Sequence, residues 1–91
     1  MKIEVKYFNI VQMKLDKKKD EIDLKPGSGI YDLIEKLAEI NGPKLNNIIL
    51  DNNGEIKSYI KIYRNKKLLS DYKVELSDRD TVNIFMAVAG G

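Results

Sequence analysis

The chain has 91 residues, 43% hydrophobic and 33% charged, with 16 lysines and arginines against 14 acids for a formal net charge of +2. That size allows one modest core, so a single domain over residues 1–91 is expected, with 87–91 as a flexible C-terminal tail. The charge balance lacks the basic excess of a nucleic-acid binder, the apolar runs are too short for a membrane span, and without cysteine or histidine there is no thiolate, disulfide or usual proton shuttle.

Lys2 to Phe8 alternates strictly, Ile3, Val5 and Tyr7 on one side and Lys2, Glu4 and Lys6 on the other, the pattern of a half-buried strand. This start has no apolar core of a secretion signal, so the cytoplasm is the expected location. Asn9 to Leu15 fits either a short helix or a continued strand through Ile10, Val11, Met13 and Leu15. Lys17-Lys18-Lys19, flanked by Asp16, Asp20 and Glu21, reads as a solvated hairpin turn. Asp20 to Lys25 is then a second strand burying Ile22 and Leu24. Pro26-Gly27-Ser28 breaks it, and Ser28 is expected to cap a helix. Ile30, Leu33, Ile34, Leu37 and Ala38 follow at helical spacing until Asn41-Gly42-Pro43 stops the helix.

Ile48-Ile49-Leu50 predicts a short strand and Asp51-Asn52-Asn53-Gly54 a turn. Tyr59 to Arg64 predicts a strand with Ile60 and Ile62 on one face, and Asn65-Lys66-Lys67 turns the chain towards Leu68-Leu69. After Ser70 to Leu76, the polar turn Ser77-Asp78-Arg79-Asp80 leads to a last strand, Thr81 to Met86, burying Val82, Ile84 and Met86. A hairpin, one crossing helix and a returning strand suit an α+β sheet covered on one face. The simplest such arrangement is the ubiquitin-like β-grasp: a mixed sheet of about four or five strands on one main helix, with the first and last strands parallel neighbours at its centre. Phe8 and Phe85 then fall on the uncovered side, an aromatic pair of the kind that marks a contact site. The alternative is that strand twist or the Asn9 to Leu15 segment covers Phe8.

The sequence ends Ala87-Val88-Ala89-Gly90-Gly91, so the last strand runs straight into small residues and presents a carboxylate on an arm. Asp78 and Asp80 read as turn formers and the tyrosines as packing residues with a wet hydroxyl. No catalytic residue, metal ligand or bound cofactor is expected in the chain itself, and its chemistry is expected to come from a partner.

Glu75-Leu76-Ser77-Asp78-Arg79-Asp80-Thr81-Val82, then Ile84-Phe85, then Val88-Ala89-Gly90-Gly91, resembles the C-terminus of the MoaD/ThiS family of ubiquitin-like sulfur carriers, nearest to its molybdopterin synthase small-subunit (MoaD) branch. The resemblance covers nearly the whole chain and is specific only towards its end. The family commonly has glycine where Arg79 stands, which implies a different turn or a strained backbone there. It often has Pro-Pro where Met86-Ala87 stand, which implies a less stiff tail. The resemblance implies that an E1-like adenylating enzyme of the MoeB/ThiF type uses ATP to activate the Gly91 carboxylate, and that a sulfur donor then displaces AMP to leave a thiocarboxylate. It also implies that Val88, Ala89 and Gly90 thread the tail into a large synthase subunit of the MoaE type, and that Phe8, Leu69 and Phe85 form the docking surface. Glycines without Cβ atoms suit a narrow channel. The same tail fits two other roles: a protein modifier conjugated through Gly91 to lysines, or a thiamine-pathway sulfur carrier.

Overall fold

In the computed structural model, which describes residues 1–87, eight elements follow the chain: β1 (Lys2–Tyr7), α1 (Asn9–Leu15), β2 (Lys19–Asp23), α2 (Ile30–Asn41), α3 (Pro43–Ile49), β3 (Ile60–Arg64), β4 (Lys67–Leu68) and β5 (Thr81–Met86). The strands form one five-stranded sheet in the order β2-β1-β5-β3-β4. β1 and β5 are its parallel pair, with Val5 opposite Val82 and Tyr7 opposite Ile84, and the other pairings are antiparallel. This is the expected β-grasp, with three helices rather than one.

The register makes the alternation of each strand add up. Ile3 lies opposite Ile22, and Ile84 lies between Tyr7 and Ile62, so one face carries a continuous apolar surface. Ile30, Leu33, Ile34 and Leu37 of α2 are buried against it, at the spacing that puts them on one helical stripe. Val11 and Leu15 of α1, and Leu45, Ile48 and Ile49 of α3, complete the same cluster. Among the described residues, no helix is long and apolar enough to cross a membrane.

One segment left open is settled, and several local expectations need correction. The segment left open at Asn9 to Leu15 is helical, because Val11 and Leu15 lie four apart and both bury. It ends at Asp16, whose left-handed backbone (φ 56°) lets its N–H reach the carbonyls of Gln12 and Met13. β1 and β2 are therefore joined through a helix, and the lysine run is the exit from that helix; Lys19 already belongs to β2, while Leu24 lies past its end and only half-buries. The cap of α2 is Gly29 in place of Ser28: its N–H donates to Asp32 Oδ2 (2.8 Å), and a Cβ there would lie 2.7 Å from the Val74 carbonyl oxygen.

Gly42-Pro43 ends α2 as expected but also opens α3, since proline at the first helical position lacks only an N–H that has no intrahelical partner. Leu45, Ile48 and Ile49 bury at helical spacing, so Ile48-Ile49-Leu50 is not a strand; only Leu50 makes a bridge, to Ile56. Ser70 to Leu76 is irregular apart from a single bridge between Gly29 and Glu75.

Candidate functional site

Residues that alternate with the core positions point to the other face of the sheet, on which no helix lies among the described residues. On β5 these are Thr81, Asn83 and Phe85; on β3, Lys61 and Tyr63; on β1, Lys2, Glu4 and Lys6. Phe8 follows β1 with an extended backbone (φ −126°, ψ 160°) and donates its N–H to the Ile84 carbonyl, so its side chain falls opposite Tyr7 and is 42% exposed. Register brings Phe85 beside Lys61 and Asn83 beside Tyr63. The Tyr63 and Phe85 rings pack at 5.6 Å between centroids, tilted by 31°.

Leu68 pairs with Tyr63 and so extends this patch, exposed at the sheet edge. Leu69, the residue implied by the resemblance, turns the other way: its N–H bonds the Ile62 carbonyl and its side chain half-buries against the core. The structure therefore brings Phe8 and Phe85 onto one face and adds Tyr63 and Leu68. Strict alternation after Ile62 is the signal that could have placed Tyr63 there. The centre of the patch is not wholly apolar: among the described residues, Asn83 Oδ1 is buried with no hydrogen-bond partner.

The last turns of the described chain show how β5 leaves the sheet. Asn9, the first residue of α1, donates from Nδ2 to the Met86 carbonyl (2.9 Å) and accepts at Oδ1 from the Met86 N–H (3.1 Å). From the opposite side, the Ala87 N–H donates to the Tyr59 carbonyl (2.7 Å). The expected threading residues Val88, Ala89 and Gly90, and the expected attachment point Gly91, lie outside the described residues.

The perturbed acids all serve the framework. Burial alone would raise the Asp80 pKa, but the Ser77 N–H, the Asn65 amide and the Arg64 guanidinium all donate to it and hold it below the usual carboxylate range. The same contest at Asp20 is won by donors from Asn41, Tyr7 and Lys17, again lowering the pKa. Burial, reinforced by the hydrogen bond to Asp20, pushes the Tyr7 hydroxyl far above its ordinary value, so it is fixed as a neutral donor. Each group is satisfied by neighbours that tie elements together. What remains chemically open on this side of the molecule is an aromatic face next to the end of β5.

Similarity to known proteins runs along the whole fold. The model of the ThiS family matches residues 5–91. SAMP1 from Haloferax volcanii is similar in structure at 20% identity, with 100% of each chain covered and a TM-score of 0.90. A putative molybdopterin converting factor, subunit 1, from Pyrococcus furiosus is 25% identical over 97% of this chain and 99% of its own, with a TM-score of 0.74. A chain from the complex of subunits 1 and 2 of the molybdopterin-converting factor of Helicobacter pylori shares 18% identity over 100% of both chains, with a TM-score of 0.61. No curated protein matches the sequence.

Proposed function

The chain belongs to the ThiS family, and from that membership we propose that it is a sulfur carrier whose working group is the Gly91 carboxylate. In the proposed cycle an E1-like enzyme docks on the open face around Phe8 and Phe85. A carboxylate oxygen of Gly91 attacks the α-phosphorus of ATP, and pyrophosphate leaves. A sulfur nucleophile at the oxidation level of hydrosulfide then bonds to the acyl carbon, the bond to AMP breaks, and a thiocarboxylate remains. Adenylation is needed because a free carboxylate repels nucleophiles and oxide is a poor leaving group. We further propose that the acceptor is a pterin precursor held by a large synthase subunit, as in molybdopterin synthesis.

The observation that carries this reading is that the family match extends through the tail to Gly91. The molybdopterin branch draws its support from the Pyrococcus furiosus relative, which aligns over 97% of this chain. A chain with neither cysteine nor histidine must hold sulfur elsewhere than on a thiol and must borrow its proton transfers. A protein modifier joined through Gly91 to lysines would share this fold and the adenylation step, and the Haloferax volcanii relative makes that the second reading.

Incubation with the E1-like enzyme encoded in the same genome, ATP and sulfide separates them. Exchange of one oxygen for sulfur at the terminus, read by mass spectrometry of the intact chain, supports the carrier. Branched Gly-Gly remnants on lysines of cell proteins support the modifier. A chain that takes no adenylate from any such enzyme removes both. Sulfur delivery to a pterin precursor by the complex with a large synthase subunit tests the molybdopterin branch; delivery to a thiazole synthase instead would assign the chain to thiamine synthesis.

A further inference from the structure

The amide of Asn9 occupies the place of a missing strand. β1 stops pairing when the chain turns into α1, and the Phe8 N–H to Ile84 carbonyl bond is its last ladder bond to β5. Met86 would then have no partner on that side. A side-chain amide carries the same donor and acceptor as a peptide group, and Asn9 supplies both, at 2.9 and 3.1 Å, across 77 positions of sequence. On the other side Met86 pairs with Ile60, and the next residue bonds the Tyr59 carbonyl.

This arrangement is a poor device for stability alone. Both Asn9 bonds are exposed to solvent, where hydrogen bonds contribute little net free energy. Asn9 also sits at a φ of 42°, in the left-handed region that opposes most side chains. Asparagine is one of the few residues that tolerates such a backbone and also presents an amide. A residue held in a strained conformation to make exposed bonds defines position more than it adds stability.

We propose that Asn9 is a positioning residue that sets the direction in which the tail leaves the sheet, so that once the open face has docked, the terminal carboxylate meets the activating site. This rests on the sulfur-carrier reading. Docking through Phe8 and Phe85 fixes the body, and the clamp fixes the last sheet residue relative to that body. Loss of the clamp lets Met86 and Ala87 swing, which lowers the effective concentration of the carboxylate at the nucleotide without weakening docking.

The test uses the full chain with Asn9→Gly, which accepts the positive φ while deleting the amide, and Asn9→Asp, which keeps the shape but loses the donor to the Met86 carbonyl. In amide hydrogen exchange, Met86 in Asn9→Gly loses about tenfold of its protection while the core strands keep theirs. In ATP–pyrophosphate exchange with the E1-like enzyme, kcat falls about fivefold for both variants while the affinity measured by titration calorimetry stays within about twofold. A purely stabilising residue would leave kcat unchanged at temperatures where every variant is folded. Variants that turn over at the wild-type kcat, with the wild type itself adenylated, overturn this inference alone. A wild-type chain that is never adenylated overturns the sulfur-carrier reading and this inference with it.

Discussion

Replacing Asp80 by asparagine keeps the shape of the side chain and removes its charge, at a residue that is 6% exposed and receives three donors. The Ser77 N–H and Arg64 Nε both point at Oδ2, each at 2.8 Å, while Asn65 Nδ2 points at Oδ1 from 3.0 Å. Asparagine offers one acceptor oxygen, so its amide nitrogen must face a donor whichever way it is turned. Asn65 cannot relieve the conflict by flipping, because its own Oδ1 accepts the Thr81 N–H at 3.0 Å. Losing the charge-assisted bond to Arg64 and leaving one donor unmatched costs about 2 kcal/mol, taking the lower range because Arg64 remains 28% exposed. For a chain of this size that is a fall in Tm of about 8–16 °C.

The pH dependence is a sharper check. The folded-state pKa of Asp80 is depressed, so its contribution is complete above the unfolded carboxylate value of about 4 and is lost as pH falls through the folded value. The gap between wild type and Asp80→Asn is therefore expected to be full at neutral pH and to close in acid. Urea unfolding followed by circular dichroism measures it. A gap below about 0.5 kcal/mol at neutral pH, or one that persists unchanged in strong acid, would refute the account of the network.

Gly29→Ala places a methyl group 2.7 Å from the Val74 carbonyl oxygen, a backbone atom that cannot rotate away; unfolding in urea is expected to show a loss of about 1–3 kcal/mol. Arg79→Gly acts in the opposite direction. Arg79 holds a φ of 72°, its side chain is 78% exposed with only a 3.9 Å contact to Asp78, and its removal is expected to raise stability by about 0.5–1 kcal/mol in the same assay. Phe85→Ser removes the ring that packs on Tyr63 at the centre of the open face, and titration with the E1-like enzyme is expected to show affinity reduced about tenfold or more while the chain still folds.

How far the fold was legible depended on how much of it is periodic. Ile3, Val5 and Tyr7 on β1, and Ile30, Leu33, Ile34 and Leu37 on α2, announce their faces directly, and they bury as expected. α1 was ambiguous because a helix of seven residues is far too short to stand alone and exists through its packing on β5 and α3. α3 was hidden by a signal with two meanings: Gly42-Pro43 stops one helix, and the same proline starts another. At the site, alternation placed Phe8 and Phe85 on the open face and could have placed Tyr63. Leu69 came from the resemblance, and the two-residue β4 shows that Leu68 is the neighbour sharing that face. The strained Arg79 was legible because the family commonly has glycine there. The Asn9 clamp was not, since it joins positions 77 apart through a backbone conformation that no local pattern announces.

β5 is restrained along its whole length, and this bears on how such a chain could deliver a terminal group. At its start, Asp80 ties the preceding turn to Arg64 and Asn65, and the Arg79 N–H bonds the Lys2 carbonyl. Along its middle it lies between β1 and β3, and at its end Met86 is held by Asn9 and Ile60. From Met86 to Gly91 there are five further residues, which span at most about 18 Å when fully extended. A partner that grips Phe8, Phe85 and Tyr63 must therefore keep its reactive centre within about that radius of the strand's end, however the tail runs. In the proposed carrier, the open aromatic face would set where the body sits, and the last sheet residue where the arm begins. The reach of the arm bounds the chemistry. If the chain works as the carrier proposed above, specificity then resides in the match between this fixed offset and the depth of the partner's channel.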